Sequence, residues 1–233
     1  MDVAFLLSAY EAGRRNFSGV DLEGADLTGV TLIGVDFAGA NLTGARLSRA
    51  FLTRVNLSEA FLNWADLRYA KLSDGCFENA DLTKANLSGA FMVKSNGLSA
   101  KLSGANLSHA NLRGALLPRV NLCGANLLGS NLRSADLRQA NLNWANLSCS
   151  RLGGACLAGA FLTDVNLRGA HIDRVDLRGV DLSEINLSYA ILDEDDAEDE
   201  LDEVLEADLN QSDLYGARTR RTAGSGGLSL SSL

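Results

Sequence analysis

The sequence predicts an all-β solenoid, and three observations predict it. A large apolar residue stands at every fifth position from Phe17 to Leu192, a small residue stands two places before most of these, and glycine recurs two places after. Of the 36 centres so defined, 35 are Leu, Phe, Met or Ile, and one is Gly97. A period of five fits neither the helix, at about 3.6 residues per turn, nor the strict alternation of a long strand. With a centre and the residue two before it pointing inward, the residue between them points outward, which is β alternation over three residues. The remaining two residues turn a corner. Glycine fills the second corner position in 15 of the 36 units, as expected where a turn requires positive φ.

Ahead of the repeat, residues 1–14 read as a capping helix. Asp2 supplies an N-cap, Phe5, Leu6 and Tyr10 supply apolar contacts, the helix runs to about Ala12, and Gly13 ends it. A cover is needed there because the first coil of a solenoid exposes both a strand edge and an open core.

Residues 15–192 form the repeat itself. Units such as ADLTG (Ala25–Gly29), ANLTG (Ala40–Gly44) and ANLRG (Ala110–Gly114) resemble the A(D/N)LXX pattern of the pentapeptide-repeat family. The resemblance implies a right-handed, quadrilateral β-solenoid with four pentads per coil, hence about nine coils. At a strand spacing of about 4.8 Å the rod would be roughly 43 Å long. The run Leu6–Phe17, LLSAYEAGRRNF, further resembles the opening of cyanobacterial members, among them a regulator of heterocyst differentiation.

Twenty residues per coil place residues 20 apart in one column. The column Phe17, Phe37, Leu57, Phe77, Gly97, Leu117 contains a leucine-sized gap at Gly97. A bulge that swings Leu98 inward, or a tilt of the Phe77 ring, is expected to fill it. Outside, Asn86, Asn106, Asn126, Asn146, Asn166 and Asn186 share a column in which amides can bond along the stack.

Beyond the repeat, the acidic run 193–206 reads as an inserted loop or short helix, with an acidic tail as the alternative. Residues 207–216 read as two further pentads centred on Leu209 and Leu214, and the Gly- and Ser-rich stretch 217–233 as disordered.

Charge is distributed unevenly. Residues 1–192 carry 18 Lys and Arg against 17 Asp and Glu, whereas 193–233 carry 3 against 12. The near-neutral rod argues against a DNA mimic, which needs an acidic surface, and its mixed signs argue against nucleic-acid binding, although Arg113 with Arg133 and Arg138 with Arg178 stack in basic columns. No apolar run is long enough for a membrane span, so the expected location is cytoplasmic; a mature lumenal or periplasmic form would read the same way.

The sequence offers no enzyme chemistry. Cys76 and Cys156 share a column four coils apart, Cys123 and Cys149 fall on different faces, and His109 and His171 lie three coils apart, so neither a disulfide nor a metal site is expected. No cofactor and no small-molecule substrate are expected, because a convex rod offers no cleft in which to desolvate paired carboxylates.

What remains is an outward patch. Phe51, Lys71 and Phe91 occupy one column, where the ammonium can lie between two rings, and Arg49, Tyr69 and His109 occupy the neighbouring corner. Trp64, above Lys84, and Trp144 add exposed aromatics. Aromatics and arginine dominate interface energetics, so the expected function is a non-enzymatic protein-binding scaffold or regulatory adaptor, monomeric or dimeric, in cyanobacterial signalling or differentiation. The family resemblance also supplies the alternative, a mimic of DNA that binds and protects a type II topoisomerase. A competing structural role for the rings is stacking along the ladder.

Overall fold

Each pentad builds one side of a coil, and the unit Ala40–Gly44 shows how. Ala40 and Leu42 are wholly buried while Asn41 between them faces outward. The N–H of Leu42 donates to the carbonyl of Phe61 at 2.7 Å, and that of Asn41 to Val20 at 2.9 Å, so the unit is bonded to the coils above and below. The Ala45 N–H then closes the corner onto the Leu42 carbonyl at 3.0 Å. Parallel pairing between residues 20 apart runs from Asn16↔Asp36 to His171↔Ile191, so four units complete each coil. Three residues between corners allow only one paired position per side, which is why the rod consists of short bridges instead of long strands.

The structure is a computed structural model that describes residues 1–182, 185, 187–193 and 218–220. Within it, every described residue at the second corner position, from Gly19 to Tyr189, has φ between 50° and 71°. Fifteen of these are glycine, yet nineteen are not, including Trp64, Tyr69, His109 and Trp144. The coil therefore imposes the left-handed conformation whatever the side chain, at a cost of order 1–2 kcal/mol for a residue with a Cβ. The Asn or Asp one place before the centre explains itself here. Its side-chain oxygen accepts the N–H of the first corner residue, as Asn41 does from Thr43 (3.2 Å) and Asn86 from Ser88 (3.1 Å). That is an Asx-type turn, and it satisfies a donor that the coil leaves without a backbone partner.

The interior is a continuous stack of leucines and alanines. At Gly97 neither expected response occurs. The ladder keeps register, with Gly97 N–H donating to Leu116 at 2.7 Å and Ala100 N–H to Gly97 at 3.0 Å, and Leu98 stays part-exposed in its corner. The space is taken instead by Leu117 of the following coil, whose Cδ2 lies 2.8 Å from where a Cβ on Gly97 would stand. Phe77 leans the other way, its Cε2 lying 3.0 Å from the position a Cβ on Gly75 would occupy. Two missing side chains thus accommodate two large neighbours, and moving those side chains costs less than breaking a hydrogen-bonded ladder.

At the N-terminal end, α1 (Val3–Glu11) begins at Asp2, whose carboxylate accepts the Ala4 N–H at 3.3 Å. Leu6 is fully buried against the core, the Tyr10 hydroxyl donates to the Ile33 carbonyl at 3.1 Å, and the Arg14 guanidinium lies 4.7 Å from the centre of the Phe17 ring. Phe5 is 56% exposed and so does not join the core contact expected of it. One helix face covers the opening, and Phe5 lies off that face.

At the other end, β1 (Ile191–Asp193) pairs in parallel with β2 (Arg218–Arg220), Ile191 opposite Arg218. The expectation of a wholly disordered 217–233 is therefore corrected at 218–220, where the edge of the last coil offers backbone groups that a three-residue strand satisfies. The expected insertion 193–206, apart from Asp193, and the pentads at 207–216 lie outside the described residues.

Candidate binding surface

The corner geometry decides which expected site residues meet. Phe51, Lys71 and Phe91 are paired in one ladder, and the second-corner residues Arg49, Tyr69 and His109 adjoin it two residues upstream, so these six share one edge of the rod. The Lys71 ammonium lies 3.2 Å from the centre of the Phe91 ring. It caps that one ring and is not sandwiched, because side chains lean toward the next coil. Trp64 and Trp144 belong to a different corner, separated from the first edge by a whole side of the coil. Each has its own partner: Lys84 Nζ lies 4.4 Å from Trp64, and Trp144 Nε1 donates to Asp164 at 3.0 Å. The structure therefore does not unite all eight residues in one patch.

Two of the rings have a structural task. The Tyr69 ring lies across Gly89, and the His109 ring across Gly129, so close that a Cβ there would stand 2.5 and 2.7 Å away respectively. An aromatic ring covering a glycine on the next coil shields backbone and buries apolar area. Tyr69 nevertheless remains 54% exposed, Phe51 47% and Trp64 62%. These faces remain accessible to a partner.

A second feature escaped the sequence reading. Lys94, Arg113, Arg133 and Arg174 line a groove of about 790 Å³ together with Gly114, Ser134, Gly153 and Gly154. Its one acid among the described residues, Asp173, lies over Gly153 and 3.9 Å from Arg174. The signal was present as Arg113 and Arg133 in one column beside glycines, but only packing shows that the glycines leave a trough.

Three arginines elsewhere are neutralised within their own unit. In the units Asp66–Arg68, Asp136–Arg138 and Asp176–Arg178 the guanidinium reaches the carboxylate two residues back at 2.7, 2.6 and 2.8 Å. Hydrogen bonding from these arginines holds all three carboxyls below the usual carboxylate range, against the opposing effect of burial. Burial pushes the Cys156 thiol up, and Asp176, whose carboxylate is 3.4 Å from that sulfur, adds to the effect. All four cysteines are free thiols, and no group of three metal-ligating side chains occurs among the described residues. No helix among them is long and apolar enough to cross a membrane.

Fold and surface together define a repeat protein whose coils present flat, rigid sides. The pentapeptide-repeat family model matches residues 16–54, 45–83, 80–118, 115–148 and 145–184, well over half of the 233 residues. This chain belongs to the pentapeptide-repeat family, whose solved members are right-handed β-solenoids. Among solved structures it is similar to HetL, a pentapeptide repeat protein involved in heterocyst differentiation regulation from the cyanobacterium Nostoc sp. strain PCC 7120. The identity is 33%, over 82% of this chain and 97% of HetL, with a TM-score of 0.57. It is more distantly similar to Rfr23 from the cyanobacterium Cyanothece 51142, at 25% identity over 79% of this chain and 94% of that one, with a TM-score of 0.23. The plasmid-mediated fluoroquinolone resistance protein QnrB1 is similar at 18% identity, covering 87% of this chain and 91% of its own, with a TM-score of 0.31. A search of curated proteins finds no sequence match.

Proposed function

We propose that this protein is a non-enzymatic regulatory adaptor, acting in the cytoplasm, that binds another protein through the edge carrying Arg49, Phe51, Tyr69, Lys71, Phe91 and His109. The observation that carries the reading is the retention of large rings in solvent at successive coils, Phe51 at 47%, Tyr69 at 54% and Phe91 at 38% exposure, on a scaffold too rigid to bury them. Rigid aromatic anchors flanked by cations have the composition of interface hot spots. The similarity to HetL over nearly its whole length supports a role in cyanobacterial signalling or differentiation. The rod's charge does not favour the alternative of a DNA mimic, since carboxylates at positions 66, 136 and 176 are already paired with arginine.

The test is a pull-down from a cyanobacterial lysate with wild-type protein and with an Arg49→Ala, Tyr69→Ala, Phe91→Ala variant of unchanged circular dichroism. A signalling protein retained by the first and lost from the second supports the adaptor. Topoisomerase subunits on both would overturn it.

A further inference from the structure

Six arginines of this rod, at 68, 113, 133, 138, 168 and 178, occupy the first corner position, in different settings. Arg68, Arg138 and Arg178 each follow an Asp-Leu pair and bond that aspartate. Arg168 follows Asn166-Leu167 but lies 5.1 Å from the centre of the Tyr189 ring, whereas Arg113 and Arg133 follow Asn111-Leu112 and Asn131-Leu132, with an amide where the carboxylate would be. The amide oxygens accept only the backbone N–H of each arginine, at 3.2 Å. Neither guanidinium has a carboxylate partner among the described residues. The two stand in adjacent coils, about 4.8 Å apart at the backbone, so their charges repel one another with no carboxylate among the described residues to offset them.

Both line the trough of about 790 Å³, with Lys94 at one end and Arg174 at the other. Four coils separate those ends, about 19 Å, a distance that an extended peptide covers in about six residues. Glycine at positions 114 and 154 keeps bulk out of the trough, which lets a backbone approach. Among the described residues Asp173, close to Arg174, is its only acid, so Lys94, Arg113 and Arg133 line it without a carboxylate partner there. Nucleic acid fits poorly, because none of the lining residues is aromatic and unstacked bases need such platforms.

We propose that this groove is a docking site for an extended, carboxylate-rich segment of a partner protein, with Arg113 and Arg133 gripping acidic side chains by bidentate hydrogen bonds. The inference rests on the adaptor reading only in assigning the segment to a partner; the groove's preference for carboxylates is measured without one.

The experiment uses the full chain and a fluorescein-labelled hexaglutamate peptide, followed by anisotropy at moderate salt. Binding should weaken at least tenfold in the Arg113→Gln, Arg133→Gln double variant and less than twofold in the Arg68→Gln, Arg138→Gln control, whose arginines are already paired. Equal loss in both would overturn the proposal by reducing it to net charge. So would binding of a six-nucleotide oligothymidylate as tightly as the peptide. Residues 193–206 carry ten Asp and Glu, and peptide binding that emerges only once these are neutralised would assign the groove to the chain's own acidic run, overturning the partner. A pull-down that fails while hexaglutamate binds as described removes the adaptor's edge, not the groove.

Discussion

The core columns and the corner columns of this rod follow opposite rules. Inside, the side chain is specified and the backbone is ordinary: leucine after leucine is less than a few per cent exposed, and alanine precedes most of them. At the second corner position the backbone is specified and the side chain is open, so glycine, tryptophan, glutamate and arginine all adopt φ near +60°. The difference teaches where such a protein can evolve binding. Coil closure fixes the corner, side chains there project freely, and surface identity can change without altering the fold.

The largest expected effect tests the core rule. Leu107→Ala, in the uninterrupted middle of the stack, should lower unfolding free energy by about 2–5 kcal/mol in urea denaturation, since neighbouring coils are pinned by the ladder and cannot collapse into the cavity. Gly97 refines the rule. Gly97→Leu on its own should destabilise by about 1–3 kcal/mol, because Leu117 already fills the site, and pairing it with Leu117→Ala should recover much of the loss in the same assay.

A smaller effect of opposite sign is expected where the core rule is broken. Ser130 and Ser150 take the place of the usual alanine, and their buried hydroxyls have no hydrogen-bond partner. Ser130→Ala should therefore raise stability by about 1 kcal/mol, with the thermal midpoint as readout. At the corner, Glu59→Gly relieves positive φ at 58° but loosens the unfolded chain, so the net gain should be at most about 1 kcal/mol.

The smallest effect is electrostatic. Hydrogen bonds from Arg138 and Arg178 lower the folded-state pKa of Asp136 and Asp176. These pairs therefore stabilise the fold above the unfolded carboxylate value, about 3.9, and lose that contribution as pH falls through the lower folded values. Asp136→Asn with Asp176→Asn should leave the midpoint at pH 7 nearly unchanged, as exposed pairs contribute little. It should flatten the decline in thermal midpoint between pH 5 and pH 3, measured by circular dichroism.

Legibility in the sequence followed the same division. The five-residue beat exposed the core columns, the turn positions and the pairing of residues 20 apart, because a period is a property of the chain itself. Placing Arg49, Tyr69 and His109 beside Phe51, Lys71 and Phe91 needed only that column map. What it missed were lateral relations. Trp64 and Trp144 fell on another corner, Phe5 stayed outside, and Leu117 rather than Leu98 or Phe77 answered the gap at Gly97.

The sequence by itself determined the solenoid, its inward and outward residues and its glycine-tolerant corners, since each follows from local alternation repeated at constant spacing. Only the tertiary structure decided that Tyr69 and His109 lie on glycines, that β2 returns to the last coil, and that Lys94, Arg113, Arg133 and Arg174 enclose a trough. Those outcomes depend on the direction in which side chains lean between coils and on the volume that glycines leave open, and a one-dimensional period carries neither quantity.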